Sequence, residues 1–163
     1  MPQALHHMPK QLKILNNPHP GLRKISDPIK PEVISHPDFQ EFLADMRETM
    51  IEKDGAGLAA PQVGNNIRLV VIHYNEKVYF MINPKITKRS WAREIEEEGC
   101  LSVLDKQGEI IYGRVERHKK VNCAYLDEKG KSKKINADKI MSRIIQHELD
   151  HLDGILFIDK LAQ

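Results

Sequence analysis

Hydrophobic positions recur along the chain with two different periods. Over 35–53, Phe39, Phe42, Leu43, Met46 and Met50 return every three or four residues, which is the spacing of one helix face. Ser35-His36-Pro37-Asp38 at its start resembles a capping box with proline in the first turn, and Asp54-Gly55 ends it. A second helix is predicted over 138–153. There Ile140, Met141, Ile144, Ile145, Leu149 and Leu152 fill one side, and Lys139, Ser142, Arg143, Gln146, Asp150 and Asp153 form a polar arc opposite. Asp138 is its expected N-cap and Gly154 its expected stop.

Between the helices the period shortens. Residues 68–74 and 77–82 are predicted strands joined by a turn at Asn75-Glu76, with Asn83-Pro84 breaking the pairing. Further strands are expected over 85–97 (with a solvated face), 109–115, 117–127 and 131–136. Ahead of the first helix, Pro18, Pro20, Pro28 and Pro31 punctuate an extended lead-in anchored by Leu12, Ile14, Leu22 and Ile25. The sum is an α+β class: a β-rich body of mostly antiparallel strands around the C-terminal helix, with a second helix in the N-terminal half.

A chain of 163 residues predicts one domain over 1–163, with 1–10 as a flexible arm whose His6-His7 pair carries no function. The arm lacks the apolar core of a signal peptide, and no run is long and apolar enough for a membrane span. Net charge is +2 with the two signs interspersed, so charge gives no indication of nucleic-acid recognition. Two cysteines, Cys100 and Cys123, argue against a disulfide scaffold and fit a reducing cytoplasm.

The C-terminal helix carries the chemistry. Gln146-His147-Glu148-Leu149-Asp150-His151 contains HExxH, whose two histidines lie about 40° apart on a helix and can share one metal ion. Glu148 is placed to reach a water on that metal without being a ligand. All three polar residues project into the apolar arc, where polar groups need partners that a metal supplies. Catalytic sites of this type use three protein ligands. The extended protease pattern would put its last histidine at Phe157, and Asp159 is the only carboxylate left downstream, so the third ligand is expected upstream. Candidates are Cys100, Cys123, His73 and His118. Cys123 reads as core, whereas Cys100 follows a glycine in a short apolar turn and is favoured. The stretch from Gly55 to Gly64 is small and apolar, which lets another backbone approach closely.

Three segments in order, Gly55-Ala56-Gly57-Leu58-Ala59-Ala60-Pro61-Gln62, Glu98-Gly99-Cys100-Leu101-Ser102 and Gln146-His147-Glu148-Leu149-Asp150-His151, resemble the motifs of peptide deformylase. The match extends to Leu22-Arg23, Val115-Glu116-Arg117 and His151-Leu152-Asp153-Gly154, and so covers most of the chain beyond the arm. The resemblance implies a hydrolase that removes the formyl group from N-formylmethionyl nascent peptides and releases formate. Cys100, His147 and His151 would hold one divalent metal, ferrous iron natively, with zinc, nickel or cobalt as substitutes. A water activated by the metal would attack the formyl carbon, Glu148 serving as general base and then general acid. Gln62 and the Leu101 backbone N–H would steady the oxyanion. Ala56, Gly57 and Gly99 would line the peptide as an added strand, and Ile144 would line the methionine pocket. Glu98 and Arg117 would pair behind the site, the alternative being two solvated charges.

The sequence departs from the family in two places. Leu104 stands where a proline is common, and 104–113 is longer than usual. The chain also ends soon after Phe157-Ile158-Asp159-Lys160, without the longer C-terminal helix linked to ribosome docking in some members. Transient ribosome association and a cytoplasmic location are the expectation, with no membrane partner. The alternatives are an HExxH metallopeptidase acting on internal bonds and a non-catalytic metal-binding relative.

Overall fold

The computed structural model describes residues 7–163. Its elements run α1 (Pro31–Ile34), α2 (Pro37–Glu52), β1 (Gly57–Ala59), β2 (Leu69–Tyr74), β3 (Lys77–Arg89), β4 (Arg93–Leu104), β5 (Ile110–His118), β6 (Lys120–Leu126), β7 (Ser132–Asp138) and α3 (Lys139–Leu152), with three short 3-10 turns. Five strands form one sheet in the order β1-β2-β3-β6-β7, and β4 and β5 form a second. Every pair of these strands is antiparallel. The α+β architecture expected from periodicity is the one observed.

The larger sheet is covered on both faces, which explains the unbroken apolar run of β2. Leu69 and Val71 join Phe39, Leu43, Met46 and Met50 of α2 in one cluster. Val70 and Ile72, pointing the other way, join Met141, Ile145, Leu149 and Leu152 of α3. Each such fully buried side chain contributes about 1.5–3 kcal/mol of apolar burial. α3 is thus held against the sheet along its length. It starts at Asp138, which takes the N-cap position without a side-chain cap bond. It stops ahead of Gly154, whose φ of +71° and close approach to the Arg23 carbonyl demand glycine.

Several boundaries differ from the sequence reading. His36, and not Ser35, caps α2, its Nδ1 accepting from Asp38 N at 3.3 Å, because Ser35 closes α1. The strand expected over 85–97 is the end of β3 and the start of β4, separated by a turn at 90–92. Asn83-Pro84 does not stop β3. It marks a bulge, with Asn83 at φ +50°, where β3 passes from pairing with β2 to pairing with β6. The break expected at residue 116 falls at Lys119. The long 104–113 segment is the tip of the β4–β5 hairpin, closed by Asp105 Oδ1 accepting from the Gln107 and Glu109 N–H groups. Of the arm expected over 1–10, residues 1–6 lie outside the described residues. From His7 the chain is tied to α2, with His7 Nε2 at 2.8 Å and the Lys10 N–H at 2.9 Å from Asp45 Oδ1.

Candidate metal centre

α3 delivers two imidazoles and a carboxylate to one spot, and β4 brings a thiol to meet them. Cys100 lies in strand β4, not in the turn expected for it. Its surroundings explain why it faces inward: the β4–β5 ladder is interrupted between Gly99 and Leu104, so the backbone around Cys100 and Leu101 leaves the regular pairing. Among the described residues, Cys100, His147 and His151 form the one group of metal-ligating side chains whose donor atoms all fall within 4.8 Å of one another. Cys100 Sγ stands 3.4 Å from His151 Nε2. Bonds of about 2.0–2.3 Å to a four-coordinate ion put ligand atoms about 3.3–3.8 Å apart, so the donor set fits a metal. The other candidates stay away. Cys123 is buried in the core with its thiol pushed up to about 11 by burial, His73 is exposed on β2, and His118 Nδ1 bonds the Ser90 carbonyl.

The imidazoles are oriented by what lies behind them. His147 Nδ1 donates to Glu98 Oε1 at 2.8 Å, which turns Nε2 toward Cys100. Glu98 also accepts two bonds of 2.9 Å from Arg117 and one of 2.8 Å from Arg143, and Arg117 reaches on to Asp150. The Glu98–Arg117 pair is buried, which excludes the reading of two solvated charges. Burial opposes the Glu98 charge, but His147 and Arg117 outweigh it and hold the carboxyl at about 2. Burial also opposes a charge on His147, yet the Cys100 thiol, Glu98 and Glu148 raise its pKa to about 10. A bound cation competes with that proton, because only the neutral ring is a ligand. His151 is kept neutral, first by burial and then by the His147 charge.

Glu148 is buried, and burial pushes its pKa up to about 7, into the range of a general base. Among the described residues its Oε2 has no hydrogen-bond partner, and neither has His151 Nδ1. A buried, unpaired carboxylate oxygen beside the three donors suits a site that takes up a polar ligand. Gly57 makes room for it: a β-carbon there would sit 2.5 Å from Glu148 Oε1. Gln62 is fixed at both ends of its amide. Oε1 accepts from Ala59 N at 2.9 Å, while Nε2 donates to Ser102 Oγ at 3.1 Å and faces Cys100 Sγ at 3.5 Å.

A cavity of about 670 Å³ opens onto this centre. Ala56 and Gly57 at the free edge of the larger sheet, Gly99 and Leu101 of β4, and Ile144 of α3 all line it, together with Gln62, Cys100, His147 and Glu148. His151 lies deeper, behind the wall. Gly99 allows Tyr112 of β5 to lie across it, 2.7 Å from where a β-carbon would be. The residues favoured for the site in the sequence therefore lie together here, whereas Cys123, His73 and His118 do not join them.

Other participants were not visible as such in the sequence. The partnership of Glu98 with His147, the anchoring by Arg143 and Asp150, and the Ser102 hydroxyl on Gln62 all depend on contacts between distant segments. One signal existed: Arg143, His147 and Asp150 recur at helix spacing and so share a face. The polar arc of α3 is also not all solvated. Ser142 and Gln146 are buried because they satisfy the backbone of His118 at the β5–β6 corner, whereas Ile140, assigned to the buried side, is 63% exposed at the cavity mouth.

Comparison with known proteins agrees with this geometry. Residues 11–163 match the family model for polypeptide deformylase. The peptide deformylase of Treponema pallidum is 43% identical over 153 residues, spanning 94% of this chain and 88% of that one. The peptide deformylase of Thermotoga maritima superposes with a TM-score of 0.86 at 33% identity, covering 94% of this chain and 99% of the other. A class I type b peptide deformylase from Acinetobacter baumannii bound to Met-Ala-Ser superposes with a TM-score of 0.87 at 31% identity, covering 94% and 100%.

Proposed function

The chain belongs to the polypeptide deformylase family, metal-dependent hydrolases that act on formylated nascent peptides, and from that premise we propose how its own residues carry the reaction. Cys100, His147 and His151 would hold the metal, for which ferrous iron is the native choice; zinc, nickel and cobalt accept the same imidazole and thiolate donors. A cation held by these residues would supply Lewis acidity to a water and to the formyl oxygen. Glu148 takes the proton of the attacking water and later gives it to the amine of methionine as the C–N bond breaks, leaving formate and a free N-terminus. The Gln62 amide and the Leu101 N–H hold the oxygen on which negative charge develops. Glu98 keeps His147 in the tautomer that presents Nε2.

The peptide enters between two strand edges, β1 at Ala56-Gly57 and β4 at Gly99, and pairs with them as an extra strand while the methionine side chain packs on Ile144. The Acinetobacter baumannii relative is bound to Met-Ala-Ser, a peptide that begins with methionine, which supports a methionyl peptide as the ligand. No helix of the described residues is long and apolar enough to cross a membrane. We place the protein in the cytoplasm, meeting ribosomes transiently, because a thiol ligand needs reducing surroundings.

The observation that carries the reading is the convergence of three metal donors, two of them lining the cavity and His151 just behind its wall, with a Glu148 oxygen unpaired among the described residues. Formate release from formyl-Met-Ala peptide, set against cleavage of an unformylated peptide with internal bonds, tests it. The metallated protein should act on the first only. Cleavage of the second would favour the endopeptidase.

A further inference from the structure

In the sequence the two signs of charge are interspersed, but the fold separates them. The active-site cavity is lined by six acidic side chains, Asp54, Glu94, Glu96 and Glu97 among them, against Lys139 and Arg143. A second cavity of about 600 Å³ shares no lining residue with it and runs along another face of α3, over Gln146, Leu149 and Asp150. Its walls carry Arg68, Lys85, Arg89, Arg93, Arg117 and Lys160 against three carboxylates. All three of those are engaged: Asp153 by Arg68, Glu116 by Arg93, and Asp150 by Arg117 and Lys160. Lys85 and Arg89 are left without an ion-pair partner among the described residues.

At the rim of this groove β3 turns into β4. Ser90 N donates to the Lys120 carbonyl at 2.9 Å and Lys119 N to the Ala92 carbonyl at 3.0 Å, which brings two further exposed lysines alongside the turn. At the tip stands Trp91, 97% exposed and the single tryptophan of the chain. A large aromatic left in water among unpaired cations is the arrangement that binds single-stranded nucleic acid: cations follow the phosphates and the ring stacks on a base. A membrane anchor would need apolar neighbours, and those of Trp91 are Arg89, Ser90, Ala92 and Arg93.

We propose that this groove and Trp91 dock a single-stranded segment of RNA, its phosphates along Lys85, Arg89, Lys119 and Lys120 and one unstacked base on the indole. The choice of RNA rests on the deformylase reading, since a nascent chain is met at a surface built largely of RNA. The acidic cavity mouth repels the same polyanion, so docking leaves the peptide entrance free.

Because Trp91 is the only tryptophan, its fluorescence reports the contact directly. Titration of the metallated protein with an oligouridylate of about twelve nucleotides at about 50 mM salt should quench it. Four phosphate contacts give a slope of log affinity against log salt of about −3. The double variant K85E/R89E should roughly halve that slope and weaken binding at least ~10-fold. Trp91→Ala, followed by anisotropy of labelled RNA, should bind about 5- to 150-fold more weakly. Formate release from a short formyl-Met-Ala peptide should be unchanged in both variants, which shows that they fold. Absence of quenching by RNA, or affinity unaltered in either variant, would overturn the proposal. Quenching by phosphatidylglycerol vesicles with no RNA binding would assign the patch to a membrane and overturn it too. A wild-type protein that binds RNA but releases no formate would instead strike the deformylase reading.

Discussion

Replacing Gly57 with alanine sets a methyl group against the catalytic carboxylate. A β-carbon at this position would lie 2.5 Å from Oε1, 2.7 Å from Cδ and 2.8 Å from Cγ of Glu148. The backbone is not the obstacle, because Gly57 has no positive φ and its pairing with Ile72 needs no glycine. To restore ordinary contact the carboxylate must move by about 1 Å, and Glu148 is buried with α3 behind it. Leaving its rotamer costs about 1 kcal/mol, within the ~1–3 kcal/mol typical of overpacked sites. A catalytic group displaced by about 1 Å loses on the order of 10²-fold in rate. Gly57→Ala should therefore lower kcat/KM for a formyl-Met peptide by about 10²-fold. Metal content should stay near one per chain, since the three nearest atoms all belong to Glu148 and none to a metal-ligating side chain. Steady-state kinetics together with metal analysis checks this. Alanine keeps the N–H and C=O that would pair with a peptide. If Gly57 serves only as a strand partner, activity would stay within a few-fold of wild type, and that result would refute the steric argument.

Three further outcomes follow from the same geometry. Glu98→Gln weakens the buried partner of Arg117 and the orienter of His147. It should cost about 3–5 kcal/mol by denaturant unfolding and lower metal affinity ~10- to 100-fold by competition with a chelator. Glu98, held at about 2 in the folded chain against an ordinary 4.5, contributes stability that is complete above pH 4.5 and is lost as pH falls toward 2. That acid loss, on the order of 3 kcal/mol, should flatten in Glu98→Gln when unfolding is followed against pH. Finally, Glu94, Glu96, Glu97 and Asp54 line the peptide cavity, so formyl-Met-Ala-Lys should be processed faster than formyl-Met-Ala-Glu. The preference should shrink in E96K/E97K and at high salt.

What the sequence made legible, and what it hid, divides by range. α2 and α3 were readable because their apolar residues recur with the helix period and bury a single face each. The metal donors were readable because HExxH is local and Cys100 was the best of few thiols and imidazoles upstream. Glu98 was harder. Its partners His147, Arg117 and Arg143 lie 49, 19 and 45 residues away, and no local pattern reports a contact at that distance. The sequence places Cys100 in a turn because Gly99 suggests a break, yet that glycine belongs to a strand and makes way for Tyr112. Ser142 and Gln146 read as solvent-facing because their burial depends on a β5–β6 corner that only the fold brings over them. The sorting of charge into an acidic cavity and a basic groove was invisible for the same reason.

The most direct test of the account replaces Glu148 with alanine in anaerobically prepared, metal-loaded protein and measures formate release and bound metal together. Cys100, His147 and His151 remain in place, so the variant should hold one metal per chain while turnover falls by at least about 10²-fold, the share of a general base. Full turnover with metal bound would contradict the role given to Glu148.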